Sequence, residues 1–149
     1  LEDETLDKCI LTILQKIEPD YYDLKPDIVY CVHYGDNNQD HRATFEAAQV
    51  ICRSQSVHSP SVFLCYEVPS STEQSPNITG NVFLPNYFNI ISQSLLDLKI
   101  KSFECYESEI RKKPHSRSRY GIELFARYRG LQCNSEYAEA FQQISAIHS

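Results

Sequence analysis

The residues most able to do chemistry lie in one run, Asp36-Asn37-Asn38-Gln39-Asp40-His41-Arg42. It brings together two carboxylic acids, an imidazole, a guanidinium and several carboxamides between a short apolar stretch and the start of a helical pattern. Asp40 can cap that helix, which leaves His41 in its first turn. A helix N-terminus carries partial positive charge, and this suits a developing oxyanion or a polarised water. An imidazole there can bind a metal through one ring nitrogen while a carboxylate or carbonyl holds the other. A plain capping turn accounts for the same residues, and the Asp-His pair alone does not decide between the two. H-E-x-x-H, G-x-S-x-G, the P-loop and G-x-G-x-x-G are all absent, which removes the commonest hydrolase and nucleotide-binding readings.

The elements around this run set where it sits. Leu6, Cys9, Ile10, Ile13, Leu14 and Ile17 keep one face of an amphipathic helix. Glu2, Asp3, Glu4 and Asp7 suit its N-terminal end, and Pro19 is expected to stop it. Ile28-Val29-Tyr30-Cys31-Val32 is an unbroken apolar run of strand formers, the pattern of a strand buried on both faces of a parallel sheet. A second helix is expected from about Asp40 to Arg53, then a second strand, Val62-Phe63-Leu64-Cys65-Tyr66. The alternation of helix and strand is the grammar of an α/β layered domain. In such sheets ligands gather at the carboxyl ends of strands, and Asp36–His41 and Glu67–Glu73 leave those ends.

An irregular stretch from Glu67 to about Asn89 follows, long enough to be functional. Ser92 can cap a third helix, expected to run through Ile110 towards Pro114. A fourth spans Arg117 to Arg129 and is closed by Gly130. The tail from Tyr137 to Ile147 fits a strand or a helix equally well. His33, near the end of the first strand, reads as a satisfied core imidazole.

The chain has 149 residues, one domain's worth or part of one. Its net charge of −6 argues against a general nucleic-acid binder, which needs a cationic surface. No apolar run is long enough for a membrane span. Half the basic residues nevertheless fall between Arg111 and Arg129, as either a solvated face or a local anion site. None of the six cysteines forms a C-x-x-C pair; Cys9, Cys31, Cys52 and Cys65 sit in apolar stretches and read as reduced core thiols of a cytoplasmic protein. The sequon Asn77-Ile78-Thr79 reads as chance. No methionine occurs, so the chain is expected to be a piece of a longer product.

In order along the chain, Lys25-Pro26-Asp27-Ile28-Val29-Tyr30, Gly35-Asp36, Asn38-Gln39-Asp40-His41-Arg42 and Tyr66-Glu67-Val68-Pro69-Ser70-Ser71-Thr72-Glu73 resemble the LmbE-like (PIG-L family) zinc-dependent de-N-acetylases. The resemblance continues through Phe83-Leu84-Pro85-Asn86, Tyr106 to Arg111, Pro114 to Ser118, Arg129-Gly130 and Tyr137 to Phe141. It implies an α/β fold, the C-terminal part of a Rossmann-like three-layer domain. It also implies hydrolysis of the N-acetyl group of an N-acetylglucosamine-type sugar by one zinc ion. The family's N-terminal His-Pro-Asp-Asp motif, which supplies two metal ligands and the base, is absent from this chain.

The same resemblance implies the site residues. His41 matches the remaining zinc ligand and Asp40 the acid beside it, while Asn38 stands where many members carry a histidine. An amide can donate to an oxyanion but cannot shuttle a proton, so Asn38 is expected to stabilise the intermediate rather than act as an acid. Glu67, Ser70 and Ser71, with Thr72 beside them, could hydrogen-bond sugar hydroxyls, although turn chemistry explains them equally well. His115 and Arg117 could reach a sugar or a phosphate. The partner is a small amino-sugar substrate, with homo-oligomerisation left open. An inert sugar- or nucleotide-binding subunit, or a fragment lacking the zinc site, is the alternative. The chain alone is expected to hold no stoichiometric zinc.

Overall fold

The computed structural model describes residues 5–6, 9–78 and 80–148. The structure is mixed α/β. Helices α1 (Ile10–Leu24), α2 (Gln39–Ile51), α3 (Gln93–Glu104) and α4 (Arg119–Gln132) accompany strands β1 (Ile28–Val32), β2 (Val62–Tyr66), β3 (Tyr87–Ile90) and β4 (Ala138–Ala146). The strands form a sheet in the order β1-β2-β4-β3. The chain divides into two compact units, residues 1–84 with 141–149 and residues 85–140.

In the first unit β1 and β2 run parallel, with Ile28 beside Val62 and Cys31 beside Cys65. Strand β4 joins the far edge of β2 antiparallel, with a shift in register between Phe63 and Leu64. Helix α2 covers one face of the pair. Its Phe45 stacks on Phe63, ring centroids 5.9 Å apart, over a core that also holds Cys31, Val32, Cys52 and Cys65. Its opposite face presents Ala43 and Ala47, small enough for Ile13 of α1 to pack directly on them. Each large apolar side chain so buried contributes about 1.5–3 kcal/mol.

Several expectations change here. Helix α1 does not stop at Pro19; it carries the proline inside and ends at Lys25. Pro19 has no N–H to give Gln15, but both residues are exposed, so water can meet the freed carbonyl. The stop comes where Lys25 turns left-handed at φ 47° and its N–H returns to Tyr21 O at 2.9 Å. Pro26 next in line disfavours helical backbone at Lys25. Strand β1 is buried only at its C-terminal half, Cys31 and Val32; Ile28 and Tyr30 are exposed. The cap of α2 is Asn38, not Asp40. Cys9 is only half-buried, and all six thiols are unpaired. The acids expected before α1 lie outside the described residues, as does Thr79 of the sequon.

In the second unit α3 and α4 enclose Ile91, Leu96, Ile100, Ile122, Ala126 and Tyr137. Ser92 and Ser118 cap the two helices, accepting from Leu95 N and Gly121 N. Helix α3 ends at Glu104 rather than near Pro114, because Tyr106 N–H bonds to Phe103 O in a tight turn, and a single 3₁₀ turn follows at Glu107–Glu109. Gly130 does not close α4 but lies within it. A Cβ there would meet Ser135 O at 2.6 Å, so this glycine serves a close backbone approach. The tail is a strand, and its Glu139 pairs with Lys99 at 2.5 Å. The irregular stretch after β2 contains a 3₁₀ turn at Thr72–Gln74 and β3. No described helix is long and apolar enough to cross a membrane.

Candidate functional site

The candidate site lies just past the carboxyl ends of β1 and β2, the positions at which parallel α/β sheets present ligand-binding loops. Beyond β1, His33 N–H extends the ladder to Tyr66 O at 3.0 Å, and the chain turns when Asp36 N–H bonds to His33 O. Gly35 makes this turn possible. A Cβ on it would sit 2.1 Å from Asn81 O and 2.8 Å from His33 Nε2.

Asp36 is the centre of the arrangement. Its side chain is fully buried, and four groups donate to it. Asn38 N–H (2.9 Å), His41 Nδ1 (2.9 Å) and the Ser71 hydroxyl meet Oδ1, and the Thr72 hydroxyl meets Oδ2 at 2.6 Å. Burial alone would raise the pKa of this carboxyl. The bonds from His41, Ser71, Thr72 and the Asn38 amide outweigh it and hold the pKa at about 2. Asp36 is therefore ionised and can only accept.

That sets which ring nitrogen of His41 faces it with a hydrogen. A carboxylate without a proton requires Nδ1–H on the ring, so in the neutral tautomer the lone pair lies on Nε2. The ring is partly exposed, at 29%. A buried carboxylate that orients one ring nitrogen and leaves the other open is the arrangement found behind metal-ligating histidines. Asn38 is fixed in a comparable way. Its Oδ1 accepts Asp40 N–H at 2.8 Å as the helix cap, so its NH₂ is left to donate from an exposed position. Arg42 braces the turn, donating from Nη1 to the Asp36 and Asn37 carbonyls at 2.8 Å each.

The loop after β2 is built to deliver its two hydroxyls. Thr72 Oγ1 accepts Val68 N–H at 2.8 Å while donating to Asp36, and Glu73 Oε1 accepts Ser70 N–H at 2.6 Å. Ser70 sits at φ 68°, which reverses the chain just before Ser71 and Thr72. Ser71 thus belongs to the Asp36 cluster. Asp40 is buried, and its Oδ1 accepts Leu6 N–H at 3.0 Å, so it ties the segment before α1 to α2. Glu67 is the first residue past β2 and lies within electrostatic reach of His33.

His115 and Arg117 lie in the second unit, where His115 Nδ1 accepts Arg117 N–H at 3.0 Å and Arg117 pairs with Glu109. The sequence places Asp36 within the candidate run without a role of its own, and it offers Thr72 as a sugar contact or a turn residue rather than as a donor to Asp36. The available signal was a Gly-Asp dipeptide leaving an apolar strand. His33 departs from expectation too. It is fully buried between Tyr34 and Phe83, with Nε2 at 3.1 Å from Asn81 O, but its Nδ1 has no partner. Burial holds its pKa below the ordinary value, against the pull of Asn81 O, Asp36 and Glu67.

Among the described residues no group of three or more His, Cys, Asp and Glu side chains could hold a metal ion. The arrangement supplies one oriented imidazole, not the three protein ligands that a catalytic zinc keeps.

No family model and no curated protein matches the chain. Solved structures do. The conserved protein TT1542 of Thermus thermophilus matches over 100% of this chain and 65% of its own, with a TM-score of 0.67 at 18% identity. The N,N'-diacetylchitobiose deacetylase of Pyrococcus horikoshii, solved with its inhibitor MPG, matches over 89% of this chain and 51% of its own, with a TM-score of 0.64 at 16% identity. The chain shares their fold and spans less than two thirds of either.

Proposed function

We propose that this chain is the C-terminal part of a zinc-dependent de-N-acetylase domain that removes an acetyl group from an N-acetylglucosamine-type sugar. The observation that carries the reading is the His41–Asp36 pair, with Nδ1 held by a buried, ionised carboxylate and Nε2 open at the strand ends. The fold shared with a chitobiose deacetylase supports it. In this reading His41 is one of three ligands to the zinc, and residues outside this chain supply the others.

Asn38 offers its fixed NH₂ to the oxyanion of the tetrahedral intermediate, and Asp40 holds the first turn of α2 in place behind His41. Glu67 and Ser70 are proposed contacts for sugar hydroxyls. His115 and Arg117 are proposed for a sugar or phosphate elsewhere on the substrate. Ser71, committed to Asp36, acts through that carboxylate.

The second reading is an inert sugar- or nucleotide-binding subunit, favoured by the lack of a three-ligand group among the described residues. The test is metal analysis and acetate release on the longer protein, with and without His41→Ala. We expect one zinc per chain and acetate from an N-acetylglucosamine substrate, both lost in the variant. We expect neither zinc nor activity from the 149-residue chain alone. A longer protein that lacks His-Pro-Asp-Asp and releases no acetate would establish the inert reading instead.

A further inference from the structure

The second unit contains a cavity of about 430 Å³, lined in part by Arg117 but by no residue of the Asp36 cluster. Its volume falls in the range of small-molecule pockets, roughly 300–1,000 Å³. Its floor is apolar, with Ile100 of α3 and Ile122 of α4 buried, and Phe103 of α3 and the exposed Ile110 of the loop complete the apolar lining. The loop wall is braced rather than loose. Arg111 N–H bonds to Arg117 O at 3.2 Å, His115 N–H to Lys112 O at 3.1 Å and Ser118 N–H to His115 O at 3.0 Å. A ligand entering this cavity therefore meets a wall already in place, which reduces the ordering cost of binding.

The charges at its mouth are unequal once their partners are assigned. Arg117 pairs with Glu109; Arg119 faces Asp97 and Glu104 at 3.7 Å each; Glu123 faces Arg127 at 3.1 Å. Two lining cations remain. Arg111 donates from Nη1 only to backbone carbonyls, those of Ser108 and Ile110. Lys113 Nζ stands 3.9 Å above the Tyr120 ring. Among the described residues neither has a carboxylate within ion-pair distance. Their charge is uncompensated beside an apolar floor, in a chain whose net charge is −6.

A guanidinium fork and an ammonium that line one cavity suit a phosphate dianion better than a single carboxylate, because a dianion can use both cations. We propose that this cavity binds a small phosphate monoester carrying an apolar group, with the phosphate on Arg111 and Lys113 and the apolar group against Ile100, Phe103, Ile110 and Ile122. The phosphate supplies orientation and the apolar group supplies discrimination. Inorganic phosphate, which fills only the mouth, binds more weakly.

Phenyl phosphate is the probe, titrated into the isotopically labelled 149-residue chain and followed by NMR. The expected result is saturation with a Kd of about 1 mM or tighter, with shifts at the four apolar lining residues. Inorganic phosphate should bind at least about tenfold more weakly. Both cations are exposed, so Arg111→Gln/Lys113→Gln should fold normally, and it should weaken phenyl phosphate at least about tenfold. The charge-matched Lys16→Gln/Lys101→Gln should leave binding within about twofold. Three results overturn the proposal: no saturation, equal affinity for inorganic phosphate, or equal weakening by the two double variants.

Discussion

Replacing Asp36 by asparagine keeps the shape of the side chain and removes its charge, and the structure dictates what that costs. Three donors meet Oδ1, and each could still bond to an amide oxygen. These bonds fall from the charged class, about 1.5–3 kcal/mol, towards the neutral class, about 0.5–1.5 kcal/mol. Oδ2 fares worse, because it becomes an NH₂ aimed at Thr72 Oγ1. That hydroxyl already accepts from Val68 and would lose the acceptor for its own hydrogen, a penalty of about 1–3 kcal/mol. Against these losses stands the relief of no longer burying a charge. The carboxyl's pKa of about 2 shows that its hydrogen bonds already outweigh burial, so relief does not win. The expected net loss is about 2–4 kcal/mol, a large part of the roughly 5–15 kcal/mol of a typical domain. Urea unfolding followed by circular dichroism should show the midpoint falling by about 1–2 M. Asp27→Asn, at an exposed acid, should change stability by less than about 0.5 kcal/mol. An Asp36→Asn protein as stable as Asp27→Asn would refute the account of Asp36 as the organising group.

Burial lowers the folded-state pKa of His33 below its ordinary 6.5, while Asp36, Glu67 and Asn81 O pull the other way. Its contribution is therefore present above about pH 6.5 and lost as the pH falls through 6.5 towards the folded value, since the unfolded chain takes up the proton first. Unfolding between about pH 7.5 and 5.5 should show this loss, and a His33→Gln protein should lack that component; identical pH slopes would count against it. Gly35→Ala should destabilise by about 1–3 kcal/mol or more, because the new methyl meets the Asn81 carbonyl, and thermal unfolding reads the effect. On the proposed de-N-acetylase reading, Asn38→Ala in a longer, active protein should lower kcat by roughly 10²–10³ if its amide donates to the oxyanion. An unchanged kcat removes Asn38 from the chemistry.

What could be read along the chain was what neighbouring residues decide. The β-branched and apolar runs at 28–32 and 62–66 became β1 and β2 within those limits, and Ser92 capped α3 as expected. Elements closed by a side chain a few residues away are legible because the partners share one stretch of backbone. The helix runs through Pro19, against the expected stop, because a proline's cost depends on whether the orphaned carbonyl faces water, which only the packed helix determines. Gly130 looked like a helix stop and is instead a contact point, since its neighbour Ser135 reaches it only after the chain has turned back. The tail's alternating pattern became a strand because the edge of β2 was there to pair with it.

The site divides along the same line. His41 and Asn38 were visible as chemistry-bearing residues beside a helix start. Their orientation was not. Asp36 lies five residues before His41, but Ser71 and Thr72 lie 35 and 36 residues beyond Asp36. No local pattern relates such positions. They meet because parallel β1 and β2 end side by side and their two loops leave in the same direction. The amino-acid order alone determined which groups were available. The parallel pairing decided that one carboxylate would be buried, ionised and shared, because only there could four donors from two distant loops offset the loss of water around it.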